Sequence, residues 1–300
     1  MPKFFKTNIL HKDFYIVSFL YKAELPYILF IHGGPGLNSA VLECLIENEE
    51  IFSSLEFNII LYDQRNCGRS IRSEMTVLHK HNIDDLHEMV TYLSQVQNFK
   101  IACIAGHSYG AKLLYDYYKK YDAQYPGIFI STAESITIPR VNNLMLDLNY
   151  LKRTHPEKYQ EIVKDMVTLD SGNLWKISEE LAHVFQENKE RIYFYWANLD
   201  RMSRVVEIQS KIGIQINKDV FTSVRKDLYT DDSNSSVAID ELSIRKVWIN
   251  GAQDLVMNGP SGAFSNKYKV KTFFNSAHYP HIEEEEKFCQ LVNGFVNSNE

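Results

Sequence analysis

The chain has 300 residues, 45% hydrophobic and 23% charged, enough to bury a large core as one domain with a sizeable insertion or as two small domains. Thirty-two basic against thirty-eight acidic residues give a formal charge of −6, so no uniformly basic surface is available to bind nucleic acid. The opening MPKFFKTNILHKDF turns polar before a signal-peptide core forms, and no apolar run reaches the length of a membrane span.

Four cysteines (Cys44, Cys67, Cys103, Cys289) lie far apart, without the spacing of a metal site or a disulfide framework. A cytoplasmic protein with no metal, no cofactor and no membrane partner is expected.

In chain order, strands are predicted at Asp13–Leu20, at Pro26–Ile31 (PYILFI) and at Asn58–Tyr62 (NIILY). A helix is predicted over Asn82–Val96 from the period of Ile83, Leu86, Val90, Leu93 and Val96. Asn82 is its expected N-cap, and Asp84 and Asp85 sit where the helix dipole favours them. The strand Ile101–Ala105 (IACIA) follows, then a helix with Ala111, Leu114, Tyr115 and Tyr118 on its apolar face. Apolar strands alternating with helices predict an α/β fold with a mostly parallel sheet covered on both faces.

From Ile138-Pro139 to about Asp240 the pattern becomes helical and aromatic, with Trp175 and the cluster Tyr193–Trp196. Asp231–Ser236 reads as the exit linker. Strands resume at Arg245–Asn250 and Lys269–Phe274, before a last helix bearing Phe288, Leu291, Val292, Phe295 and Val296. The expected division is a core of 1–137 and 241–300, interrupted by a helical cap of 138–240. Glu283–Glu286 reads as a solvated, dipole-compensating first turn.

The sharpest motif is Gly106-His107-Ser108-Tyr109-Gly110, between the strand IACIA and a helix. That context suits a nucleophile elbow, in which small residues two positions either side of the serine let strand and helix approach. Taken alone, it also fits a glycine-flanked turn with an incidental serine. A serine needs a base and an orienting acid, expected in the order Ser, Asp, His. Asp254 follows the strand at 245–250 and His278 the strand at 269–274, so both emerge at the carboxyl edge of the sheet beside Ser108. His281 is the rival base, and His107 reads as structural. His32-Gly33-Gly34-Pro35-Gly36 follows PYILFI and lacks phosphate-loop spacing. Gly34 and Tyr109 are the expected oxyanion donors.

HGGPG at 32–36, DQRNCGRS at 63–70, GHSYG at 106–110, GAQD at 251–254 and AHYPHIEE at 277–284 together resemble the prolyl aminopeptidase (proline iminopeptidase) branch of the α/β-hydrolases. The resemblance implies the α/β-hydrolase fold, the triad Ser108–His278–Asp254, the oxyanion hole above and a helical cap over the site. Asn66 stands where the family has glycine, a mild change because asparagine tolerates a left-handed backbone. Asp63 and Arg65 read as structural.

Family aminopeptidases hold the substrate amine with cap glutamates. The nearest match to their W-x-x-W-E-like segment is Tyr193–Ala197, with Ala197 at the glutamate; Ser223-Val224-Arg225 matches the second, R-I-E-like segment. Trp196, Tyr195 and Arg225 are the expected substrate contacts, although the aromatic cluster also fits plain core packing. Arg225 would repel an ammonium and suit a carboxylate. Glu187, Glu190 or Glu207 are the alternatives for a relocated clamp. Expected functions are therefore hydrolysis of a short peptide or amide in the prolyl aminopeptidase manner, or esterase or amidase action on a small acyl substrate without a free amine. A binding protein without turnover would not need the full set of nucleophile, acid, base and oxyanion glycines.

Overall fold

The apolar runs of the sequence pair into one sheet in the computed structural model, which describes residues 4–165, 177, 181, 188–230, 236–258 and 270–298. Its strands are β1 (Phe5–His11), β2 (Phe14–Leu20), β3 (Tyr27–Ile31), β4 (Asn58–Tyr62), β5 (Ile101–His107), β6 (Gly127–Ile130), β7 (Lys246–Gly251) and β8 (Val270–Phe273). They lie in the order β1-β2-β4-β3-β5-β6-β7-β8. Everything from β4 to β8 is parallel, and β1 and β2 form an antiparallel edge.

Helices α1 (Ala40–Glu47), α2 (His79–Thr91) and α3 (Tyr109–Tyr121) belong to the first half. Between β6 and β7 come α4 (Thr137–Thr154), α5 (Pro156–Asp165), a 3-10 turn at Lys189–Phe194, α6 (Leu199–Ile212) and α7 (Lys218–Thr230). The chain ends with α8 (Leu255–Asn258), α9 (Pro280–Glu283) and α10 (Glu285–Asn297). Among the described residues no helix is long and apolar enough to cross a membrane.

The strand residues are apolar on both faces because both faces are covered. Ile28 and Phe30 of β3 join Ile59 and Leu61 of β4 against Leu45 and Ile46 of α1 and Phe288 and Val292 of α10. Leu29 and Ile31 face the other way, with Ile60 and Ile104, against Leu86 and Met89 of α2 and Leu113 and Leu114 of α3.

Two strands were not expected. The edge strand β1 is largely exposed and polar, and β6 has four residues, so neither carries a strong local signal. The helix expected from Asn82 begins at His79 and closes in a π-turn at Tyr92–Val96. Asn82 is not its cap: its Nδ2 donates to the buried Tyr109 hydroxyl at 2.8 Å. Asp85 pairs with Arg65 (2.7 Å) and Asp84 with Lys120 and Tyr121, so neighbouring side chains hold these carboxylates as well as the helix end.

The segment between β6 and β7 carries its own apolar cluster of Leu144, Leu148 and Leu151 with Ile162, Ile177 and Leu181. Val220, Val224 and Leu228 of α7 pack on Cys67, Val77 and Tyr109 of the core. The start of α7 is tied down by Asn217, whose N–H donates to Gly36 O (2.9 Å) and whose Nδ2 donates to Asn66 O (2.7 Å). Trp175 and the linker residues 231–235 lie outside the described residues.

Candidate active site

Ser108 is the one residue between β5 and α3, with φ 54° and ψ −117°, a conformation an L-residue adopts at a cost of about 1–3 kcal/mol. Its N–H is fixed to Ile130 O of β6 at 2.8 Å. A methyl at Gly106 would sit 2.4 Å from Gly110 O, and one at Gly110 the same distance from Ile31 O. Both clashes are with backbone, so neither can relax by a side-chain rotation. Gly106→Ala and Gly110→Ala are each expected to lower stability by about 1–3 kcal/mol, the range of core overpacking, read as a drop in the denaturation midpoint.

The loops after β7 and β8 bring Asp254 and His278 together. His278 Nδ1 donates to Asp254 Oδ2 at 2.8 Å, and both side chains are buried. The other oxygen of Asp254 accepts the Val256 and Met257 amides, each at 3.0 Å, which caps α8 and fixes the carboxylate. With its Nδ1 proton engaged, His278 keeps Nε2 as a proton acceptor. Ser108 and His278 line the same cavity. His281 is not placed in this way: its ring is buried, its Nδ1 has no hydrogen-bond partner among the described residues, and burial lowers its pKa to about 3. Burial also holds His107 well below the ordinary imidazole range. Neutral, it donates from Nε2 to the His278 carbonyl at 2.8 Å and so braces the histidine loop.

Glu283, read from sequence as part of a solvated run, is instead buried and accepts four backbone amides. Oε1 takes those of Ala197 (2.7 Å) and Asn198 (2.8 Å); Oε2 takes those of Ala277 (2.9 Å) and Tyr279 (3.3 Å). The residues on both sides of His278 are thereby tied to the turn before α6. Its neighbours are engaged too: Glu284 accepts from Asn275 N and Ser276 Oγ, and Glu285 from Phe52 N. The run gathers loop amides because three polar turns converge on the start of α10. Sequence spacing carries no signal of that convergence.

Gly34, with φ 131°, and Tyr109 both line the cavity beside Ser108. The Tyr109 amide begins α3, where a helix leaves its first N–H groups without intrahelical partners. Asn66 has φ 58°, the left-handed backbone expected where glycine would stand. Asp63 is fully buried and accepts from Ser39 N (2.7 Å), Arg69 N (2.8 Å) and Arg69 Nε (2.9 Å), fastening this loop to the start of α1.

Residues 26–285 match the family described as alpha/beta hydrolase fold. The chain belongs to that family. A proline iminopeptidase of Saccharolobus solfataricus is 23% identical over 310 residues, covering 98% of this chain and 91% of its own. A solved proline iminopeptidase-related protein from Thermus thermophilus superposes with a TM-score of 0.64 at 15% identity, covering 98% and 97% of the two chains. A solved E-2-(acetamidomethylene)succinate hydrolase superposes with a TM-score of 0.58 at 17% identity, covering 98% and 100%. This α/β-hydrolase is thus a hydrolytic enzyme similar to the proline iminopeptidases.

The cavity at Ser108 has a volume of about 490 Å³, the size of a small-molecule site, between the carboxyl edge of the sheet and the helices inserted after β6. An apolar annex of about 150 Å³ adjoins it past Trp196 and Tyr279, whose rings stack at 4.2 Å. Tyr195, Trp196 and Arg225 all line the main chamber, whereas Ala197 is not among its lining residues and gives its amide to Glu283. Neither described candidate supplies a relocated clamp. Glu190 pairs with Arg153 at 2.7 Å, Glu207 pairs with Arg204 and Lys211, and neither lines the chamber; Glu187 lies outside the described residues. Among the described residues the lining contains Lys112, Arg191 and Arg225 and no Asp or Glu.

Proposed function

We propose that this α/β-hydrolase cleaves a small ester or amide lacking a free amine, through an acyl-enzyme on Ser108. His278 Nε2 takes the hydroxyl proton as Ser108 Oγ bonds to the substrate carbonyl carbon, and Asp254 stabilises the imidazolium through the Nδ1 hydrogen bond. The oxyanion is stabilised by the Gly34 and Tyr109 amides. The carbonyl then re-forms, the bond to the leaving group breaks, and that group departs with the proton from His278. Water, deprotonated by the same imidazole, releases the acid and restores Ser108. The helices between β6 and β7 act as a cap that shields this chemistry from bulk water.

The observation that carries this reading is the His278–Asp254 bond, 2.8 Å long and buried, in a chamber that also holds Ser108. The amine-free substrate is favoured by the lining, which has cations and no described carboxylate to balance an ammonium. The aminopeptidase reading draws its support from the named relatives, whose shared fold leaves the substrate open. The test is kcat/KM for short-chain nitrophenyl esters beside proline arylamide and other aminoacyl arylamides. The esters are expected to be the better substrates; faster cleavage of proline arylamide would overturn the amine-free reading.

A further inference from the structure

The cations of the chamber differ in how they are balanced. Lys112 Nζ donates to Asp116 Oδ1 at 2.8 Å, and Arg191 Nε to the fully buried Asp147 at 3.0 Å. Arg225 has no ion pair or hydrogen bond among the described residues. Its half-buried guanidinium lies 4.6 Å from the ring centre of Phe221 and 5.3 Å from that of Tyr229. Arg140 lies over the same Tyr229 ring at 4.4 Å, so two guanidinium groups share one aromatic ring beside the chamber. Rings orient a guanidinium without neutralising it, leaving its N–H fork for a planar anion. Among the described residues the chamber therefore holds a guanidinium with no paired carboxylate, in a partly desolvated place where a substrate carboxylate is the complementary group.

We propose that Arg225 binds the anionic group of the substrate and that the substrate is an ester or amide carrying a carboxylate, an inference that rests on the acyl-enzyme reading above. Two matched comparisons test it: 4-nitrophenyl hemiglutarate against 4-nitrophenyl valerate, with the carboxylate on the acyl side, and 4-(butyryloxy)benzoate against phenyl butyrate, with it on the leaving group. The wild-type enzyme is expected to prefer at least one anionic ester over its neutral partner. That preference should fall roughly 10- to 100-fold in Arg225→Gln, the range of a lost charged hydrogen bond, and should survive in part in Arg225→Lys. In parallel, calorimetry with Ser108→Ala should detect glutarate, and adding Arg225→Gln should abolish that binding.

Wild-type hydrolysis of the neutral esters with no preference for either anionic one overturns the proposal and leaves the acyl-enzyme reading standing. A preference that Arg225→Gln does not change also overturns it. Cleavage of proline arylamide without cleavage of any ester overturns the underlying reading, and the glutarate measurement then decides the anion site without turnover.

Discussion

Ser108→Ala is expected to abolish turnover and labelling by a fluorophosphonate probe while leaving the fold intact. The side chain packs no core, and alanine keeps the Ser108 N–H bond to Ile130 that holds the elbow. Asp254→Asn is expected to lower kcat by roughly four orders of magnitude. The geometry explains why asparagine is the informative replacement. One carboxylate oxygen caps α8 through the Val256 and Met257 amides, and an amide oxygen can continue to do so. The other faces His278 Nδ1, where an NH2 group meets the imidazole and drives its proton to Nε2. The ring then has no lone pair for the Ser108 proton, while the fold keeps its cap. Labelling of Ser108→Ala at the wild-type level, or an Asp254→Asn enzyme within tenfold of wild type, would refute the assignment.

Glu283→Gln is expected to lower kcat by roughly 10²-fold, with a smaller change in KM, because a displacement of the base by about an ångström costs that much in rate. The carboxylate gives one oxygen to Ala197 and Asn198 and the other to Ala277 and Tyr279. A glutamine retains one oxygen and turns an NH2 toward the remaining pair of donors, so one side of the tie becomes repulsive. Glu283→Ala removes both sides and leaves buried amides unsatisfied, at about 1–3 kcal/mol for each that water does not reach. A role confined to stability would lower the fraction of active protein but not the rate per active site. The deciding measurement is therefore kcat normalised to fluorophosphonate-titrated sites. An unchanged normalised kcat in Glu283→Gln would show that Glu283 does not position the histidine.

What could be read from the chain alone is what short-range spacing encodes. The runs YILFI and NIILY announce strands buried on both faces, since only a covered sheet tolerates apolar residues at every position. Gly106, Ser108 and Gly110 announce a tight strand-to-helix turn, and the clashes a methyl would meet at either glycine are the reason for that spacing. Strand ends followed by Asp254 and His278 put both residues at the edge where Ser108 emerges. β1 and β6 were missed because an exposed polar edge and a four-residue strand become strands only by pairing with their neighbours.

Only the tertiary structure decides that His278, and not His281, bonds Asp254, and only it draws Glu283 to the amide of Ala197, 86 residues away. The charge of the chamber was equally hidden. Lys112 has Asp116 one helical turn on in the sequence, but that Asp147 balances Arg191 while Arg225 rests on Phe221 and Tyr229 shows only in the fold. Whether a cation such as Arg191 or Arg225 is free to meet a substrate depends on which distant carboxylates fold against it, a long-range relation that no local pattern of residues records.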